Sequence, residues 1–121
     1  MADITTEADI QQLVERFYTA LHADSVVGHF FADLDLPHHL PRIRAFWEMV
    51  LLDKPGYGTN VTDVHLKLAQ RIPMVPEHFD RWLQLWRTTV DALFSGPKAE
   101  EAKLRALSIA VVLRAKTAPK D

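Results

Sequence analysis

The chain has no cysteine among its 121 residues. That excludes disulfides, zinc thiolates, iron–sulfur clusters and any thiolate ligand to iron, and leaves histidine as the only soft nitrogen donor to a transition metal. Net charge is also scarce, since 14 basic and 16 acidic side chains give −2 at pH 7. With no global field and no basic stripe to attract a polyanion, nucleic acid is not an expected partner. Long apolar runs are missing. Val50-Leu51-Leu52 is stopped at once by Asp53, far short of the ~20 residues that a membrane-spanning helix needs. Residues Met1 to Asp9 carry acids where a secretory leader would carry lysine or arginine, so a cytoplasmic location is expected. There is no repeat, low-complexity tract or internal linker.

What remains is an ordinary globular composition, 48% hydrophobic and 25% charged, in a chain long enough for one real core and too short for two. A single domain over 1–121 is expected, with about 1–5 and 117–121 as flexible tails. The apolar spacing is helical throughout. Ile10, Leu13, Val14, Phe17 and Leu21 recur as one face of a helix from about residue 6 to 22, with Thr5 or Thr6 as its N-cap. A short helical piece is expected over about 25–31, then a turn through Asp33 to Pro37. Leu40, Ile43, Trp47, Val50 and Leu51 stripe a second helix over about 38–52, in which Pro41 is tolerable only in the first turn.

Pro55-Gly-Tyr-Gly58 breaks the pattern, and a short helix around Val61 to Leu68 carries His65. After a loop at Arg71 to Pro76, Phe79, Trp82, Leu83, Trp86, Val90 and Leu93 share one side of a helix over about 76–94. Gly96-Pro97 ends it. A last helix, about 98–116, is expected to bury Ala102, Leu104, Leu107, Ala110, Val111 and Leu113.

The residues that carry chemistry are a histidine and the aromatics around it in sequence. His65 lies between Phe46-Trp47 upstream and His78-Phe79-Asp80-Arg81-Trp82 downstream, an order that suggests an imidazole ligand to iron. On its own, a histidine on a helix is more often a surface or satisfied core residue. The aromatics raise its standing, because they supply the apolar slot that a flat cofactor needs.

Phe17-Tyr18, then His39 with Phe46-Trp47 and Leu51-Leu52, then His65-Leu66, then His78-Phe79-Asp80-Arg81-Trp82-Leu83 together resemble the group III truncated haemoglobins over nearly the whole chain. The Gly-Gly pairs usual in groups I and II are absent. The resemblance implies an all-α, truncated globin-like two-over-two helical sandwich holding haem b. It further implies His65 as the proximal iron ligand, and Tyr18 and Trp82 as hydrogen-bond donors to the bound gas. His39 would be the distal residue that gates or contacts that gas, although His38 would take its place if the register shifted by one. Phe46, Trp47 and Phe79 would wall the haem slot. Arg42, Arg44 and Arg71 would pair with its propionates, because guanidinium forks match carboxylates.

Three functions follow as candidates. The first is a haem protein that reversibly binds dioxygen, nitric oxide or carbon monoxide. The second is a haem enzyme, either a nitric oxide dioxygenase or peroxidase-like. It would need a redox partner, because the chain has no GxGxxG or other cofactor motif to supply electrons. The third is a cofactor-free helical interaction domain in which the histidines are incidental.

Overall fold

The computed structural model describes residues 1–31, 36–54 and 76–117. Among them are four α-helices: α1 (Glu7–Ala23), α2 (Leu36–Leu52), α3 (Pro76–Leu93) and α4 (Pro97–Thr117). A 3-10 turn, Gly28–Phe31, follows α1. Helix α1 packs on both α2 and α3, α3 packs on α4, and α2 touches α4. The α1/α2 pair therefore lies over the α3/α4 pair, which is the two-over-two arrangement expected from the sequence.

Local chemistry explains two of the boundaries that set α1 against α2. At the start of α1, the Thr6 hydroxyl accepts from the Asp9 amide at 3.1 Å, and the Asp9 carboxylate accepts in return from the amides of Thr6 at 3.1 Å and Thr5 at 2.9 Å. This reciprocal cap satisfies donors that a helix start leaves open. Helix α2 ends at Asp53, whose φ of 55° is the left-handed conformation that closes helices. A Lys54–Glu7 ion pair at 3.0 Å then sets the end of α2 beside the start of α1, so the two run antiparallel.

Helix α2 differs from expectation at its entrance. Leu36 and Pro37 are already helical, so Pro41 lies inside the helix rather than in its first turn. Proline has no N–H to give, which removes one helical hydrogen bond. The short helix expected around His65 lies outside the described residues.

Burial bears out the face read for α1 and most of that read for α3, where Trp82 and Leu93 are half-buried. Ile10, Leu13, Val14, Phe17, Tyr18 and Leu21 are buried on α1, and Phe79, Leu83, Trp86, Thr89 and Val90 on α3. Helix α4 bears out Ala102 and Ala110 and overturns the rest of its reading that can be compared. Its inward face is Ala99, Ala102, Ala106, Ile109 and Ala110, whereas Leu104, Leu107 and Val111 are exposed. Alanine lets α3 and α4 approach closely, and larger side chains at those positions would hold the backbones apart.

The first residues, expected as a flexible tail, are in part docked. Ile4 is buried, and the Asp3 carboxylate accepts from the amides of Lys98 and Ala99, both at 2.9 Å. Asp3 thus caps α4 from a distant part of the chain. Gly96 makes room for it: its φ of 143° suits glycine, and a Cβ there would lie 2.6 Å from the Asp3 Cγ. The Ser95 amide also donates to the Ala2 carbonyl at 3.1 Å.

Candidate functional site

The centre of the core is aromatic. Trp47 from α2 stacks on Trp86 from α3 with centroids 4.7 Å apart and rings 22° from parallel. Phe17 from α1 meets Trp86 edge-on at 5.0 Å and Trp82 at 5.8 Å. Such offset and edge contacts suit the ring quadrupoles. The Trp86 indole N–H donates to the Ala102 carbonyl at 3.1 Å, so Trp86 is a structural residue that fastens α3 to α4. Trp82, one turn earlier, is only half-buried.

These rings line a cavity of about 20 Å³ together with Tyr18, Ile43, Phe46 and Ile109. That is room for about one water-sized molecule. Of the residues named from sequence, Tyr18, Phe46, Trp47 and Trp82 meet here, drawn from three helices. Phe79 adjoins them, since it packs with Ile109 and Phe46. Ile43, Phe17 and Ile109 were not singled out as site residues. Apolar spacing marked Phe17 and Ile43 for packing and left Ile109 out of the core stripe of its helix, and nothing in the sequence says which core residue will border a cavity.

Tyr18 is the polar group in this setting. Burial pushes its phenol well above the ordinary value of 10.0. It is therefore a neutral donor across the physiological range, held inside an apolar wall.

Two polar side-chain atoms are buried without a hydrogen-bond partner among the described residues: Nε of Arg44 and Nε2 of His22. A buried donor of this kind is costly unless something satisfies it. Arg44 lies four residues after Leu40 and three before Trp47, on the α2 face turned to the core. Arg42 is half-buried on the same helix. His22 is half-buried at the end of α1. His38 and His39 fall in the first turn of α2. His65 and Arg71 lie outside the described residues. Among those residues no group of three or more His, Asp or Glu side chains is arranged to hold a metal ion.

An ion pair missed in the sequence braces the site. Arg81 forks onto Asp24, with Nε at 2.9 Å and a terminal nitrogen at 2.6 Å from Oδ1. The Asp24 side chain is only 3% exposed. Its Oδ2 also accepts from the amides of Val26 and Val27. Asp24 ends the helix that carries Tyr18, and Arg81 precedes Trp82, so this pair links the two helices that supply the donors. A separation of 57 residues hides it from any local pattern.

The Arg81 hydrogen bonds hold the Asp24 carboxyl below its ordinary 3.8, with the two amides and the Arg81 charge adding to the effect against desolvation. A depressed carboxylate contributes stability that is present above 3.8 and is lost as pH falls through the lower folded value. Asp24→Asn should therefore lower the Tm by several degrees at pH 7 and flatten the acid side of the stability profile. Thermal melts from pH 7 to pH 2.5 check this. Equal acid dependence in the variant and the parent would remove Asp24 from the account.

The whole arrangement is similar to the crystal structure of group III truncated hemoglobin from Campylobacter jejuni. The TM-score is 0.81 over 97% of this chain and 95% of that one, at 24% sequence identity. That likeness establishes the truncated-globin fold. No family model matches the chain, and no curated protein matches it in sequence. Among the described residues no helix is long and apolar enough to cross a membrane.

Proposed function

We propose that the protein binds haem b and holds a small gas, such as dioxygen, nitric oxide or carbon monoxide, in the cavity bordered by Tyr18 and Trp82. The observation that carries this reading is the convergence of a buried, neutral tyrosine donor and an aromatic wall on a space of about 20 Å³. A space that small suits a diatomic molecule and is too small for an organic substrate. The truncated-globin fold supports the same reading.

The chemistry of these residue types suits the cofactor. Phe46, Trp47 and Phe79 would give the porphyrin faces an apolar boundary. Arg42, Arg44 and Arg71 would meet its propionates, and a carboxylate would satisfy the Arg44 Nε that the described residues leave unpaired. His65 would ligate the iron through a neutral imidazole, with its other ring nitrogen held by a hydrogen bond that fixes the tautomer. Haem would supply the iron at which the gas is held. The chain's own part is then to orient, exclude water and donate. The Tyr18 hydroxyl and the Trp82 indole N–H donate to the polar gas, while Ile43, Phe46 and Phe17 keep the space dry. His39, in the first turn of α2, would gate entry.

Losing one donor to a charged or strongly polar acceptor costs on the order of 1.5–3 kcal/mol, which corresponds to roughly tenfold to hundredfold faster release. Tyr18→Phe and Trp82→Phe should each speed dioxygen release by about that factor and change carbon monoxide release much less. Their effects should fall short of additive, because they share one ligand. His39→Leu should act mainly on the association rate, and His38→Leu on neither rate. Stopped-flow kinetics decide. Unchanged dioxygen release in Tyr18→Phe would remove Tyr18 from the site, and a larger effect of His38→Leu than of His39→Leu would reverse their assignments.

A further inference from the structure

The outer face of α4 carries an apolar stripe that nothing described covers. Leu104 is 66% exposed, Leu107 45% and Val111 57%. At a spacing of three and four residues they fall in one line along the helix, opposite the buried alanines. A lone exposed leucine is ordinary, whereas a contiguous row marks a surface that meets something.

The ends of the row indicate what it meets. Glu100 continues the line at one end and Arg114 at the other, each seven residues from Leu107. Both are exposed, at 72% and 42% of the side chain. Their in-chain partners are Lys103 at 3.0 Å and, at only 3.4 Å, Asp80. The order acid, three apolar residues, base is complementary to itself when reversed. An antiparallel second α4, related by a two-fold axis near Leu107, would set each Glu100 against the other copy's Arg114 and leucine against leucine or valine. A partner of another kind would have to reproduce this reversed pattern, and a second copy has it by construction.

The ground beside the stripe favours the same occupant. Between α3 and α4 runs a hollow of about 180 Å³ lined by Leu83, Arg87, Glu100, Lys103, Leu104 and Leu107. Its floor is leucine and its walls carry both signs of charge, so it can receive an apolar side chain from a facing helix whose flanks are also mixed. The hollow shares no lining residue with the aromatic cavity.

We propose that two copies of this chain associate through this stripe as an antiparallel, two-fold α4 pair. Sedimentation equilibrium of the full chain as purified, over a wide range of concentrations, tests it. The mass should rise from 13.8 kDa toward twice that value. Leu107→Glu should stay monomeric over the same range with unchanged helix content. Glu100→Arg and Arg114→Glu should each weaken the dimer about tenfold or more, because each change turns two attractive pairs repulsive. The double variant should restore association to within a few-fold of the parent.

A parent chain that is monomeric throughout would overturn the proposal, as would a dimer indifferent to Leu107→Glu. So would a double variant no stronger than either single one. Lost helix content in Leu107→Glu would show that another part of this same chain covers the stripe, and would overturn it too.

Discussion

Trp86→Ala is expected to cost about 3–5 kcal/mol of folding stability, the usual range for emptying a large aromatic site in a core. The indole is 1% exposed, stacks on Trp47, meets Phe17 edge-on and donates to the Ala102 carbonyl. Its removal loosens α1, α2 and α4 from α3 together. Against a total of roughly 5–15 kcal/mol for a domain, this is a large share, and the Tm should fall by roughly 10–20 °C. Trp82→Ala, at a half-buried position one turn away, should cost distinctly less. The contrast separates the tryptophan that holds the fold from the one that would donate to the gas. A melt of Trp86→Ala within a few degrees of the parent would mean that the stack is not the centre of the core.

His65→Ala is expected to lose haem altogether, or to keep it only with imidazole added to the solution. Histidine is the only soft nitrogen donor in a chain without cysteine, and His65 alone of the six histidines has the sequence position that the truncated-globin pattern requires. The aromatic wall at Phe46, Trp47 and Phe79 would remain, so a loosely held porphyrin is the most that the variant should show. Absorbance of the purified variant, with and without imidazole, checks this. Normal haem content with an unchanged ferrous spectrum would shift the ligand to another residue.

Much of this fold was legible because two of its helices have one apolar face each. The Ile10 to Leu21 and Phe79 to Val90 rows are the faces that pack. Helix α4 was misread for a physical reason. Ala102 and Ala110 were read as core together with Leu104, Leu107 and Val111, yet close packing on α3 selects the small residues and turns the large ones out. Asp3 and Ile4 were also missed as docked residues. The anchoring of Asp3 depends on Gly96 and on amides 95 and 96 positions away, contacts with no local signature.

The site was legible in kind and only partly in detail. Tyr18, Phe46, Trp47 and Trp82 could be named before the fold because their order along the chain resembles one family. Their meeting around a single small cavity depends on how three helices cross. The same holds for Trp86 and Trp82, which share a helix face in sequence and differ only in what lies over them. Arg44 was one arginine among several candidates, and burial of its Nε distinguishes it.

Titration of haem into protein prepared without it tests the central claim most directly. The account predicts a Soret band that saturates at one haem per chain and shifts sharply with carbon monoxide. It also predicts a Tm that rises on loading, because a ligand bound only by the folded state stabilises it by mass action. His65→Ala treated alike should not saturate. Absorbance that grows without a stoichiometric endpoint, together with identical melts before and after haem, would contradict the account and leave a truncated-globin fold put to another use.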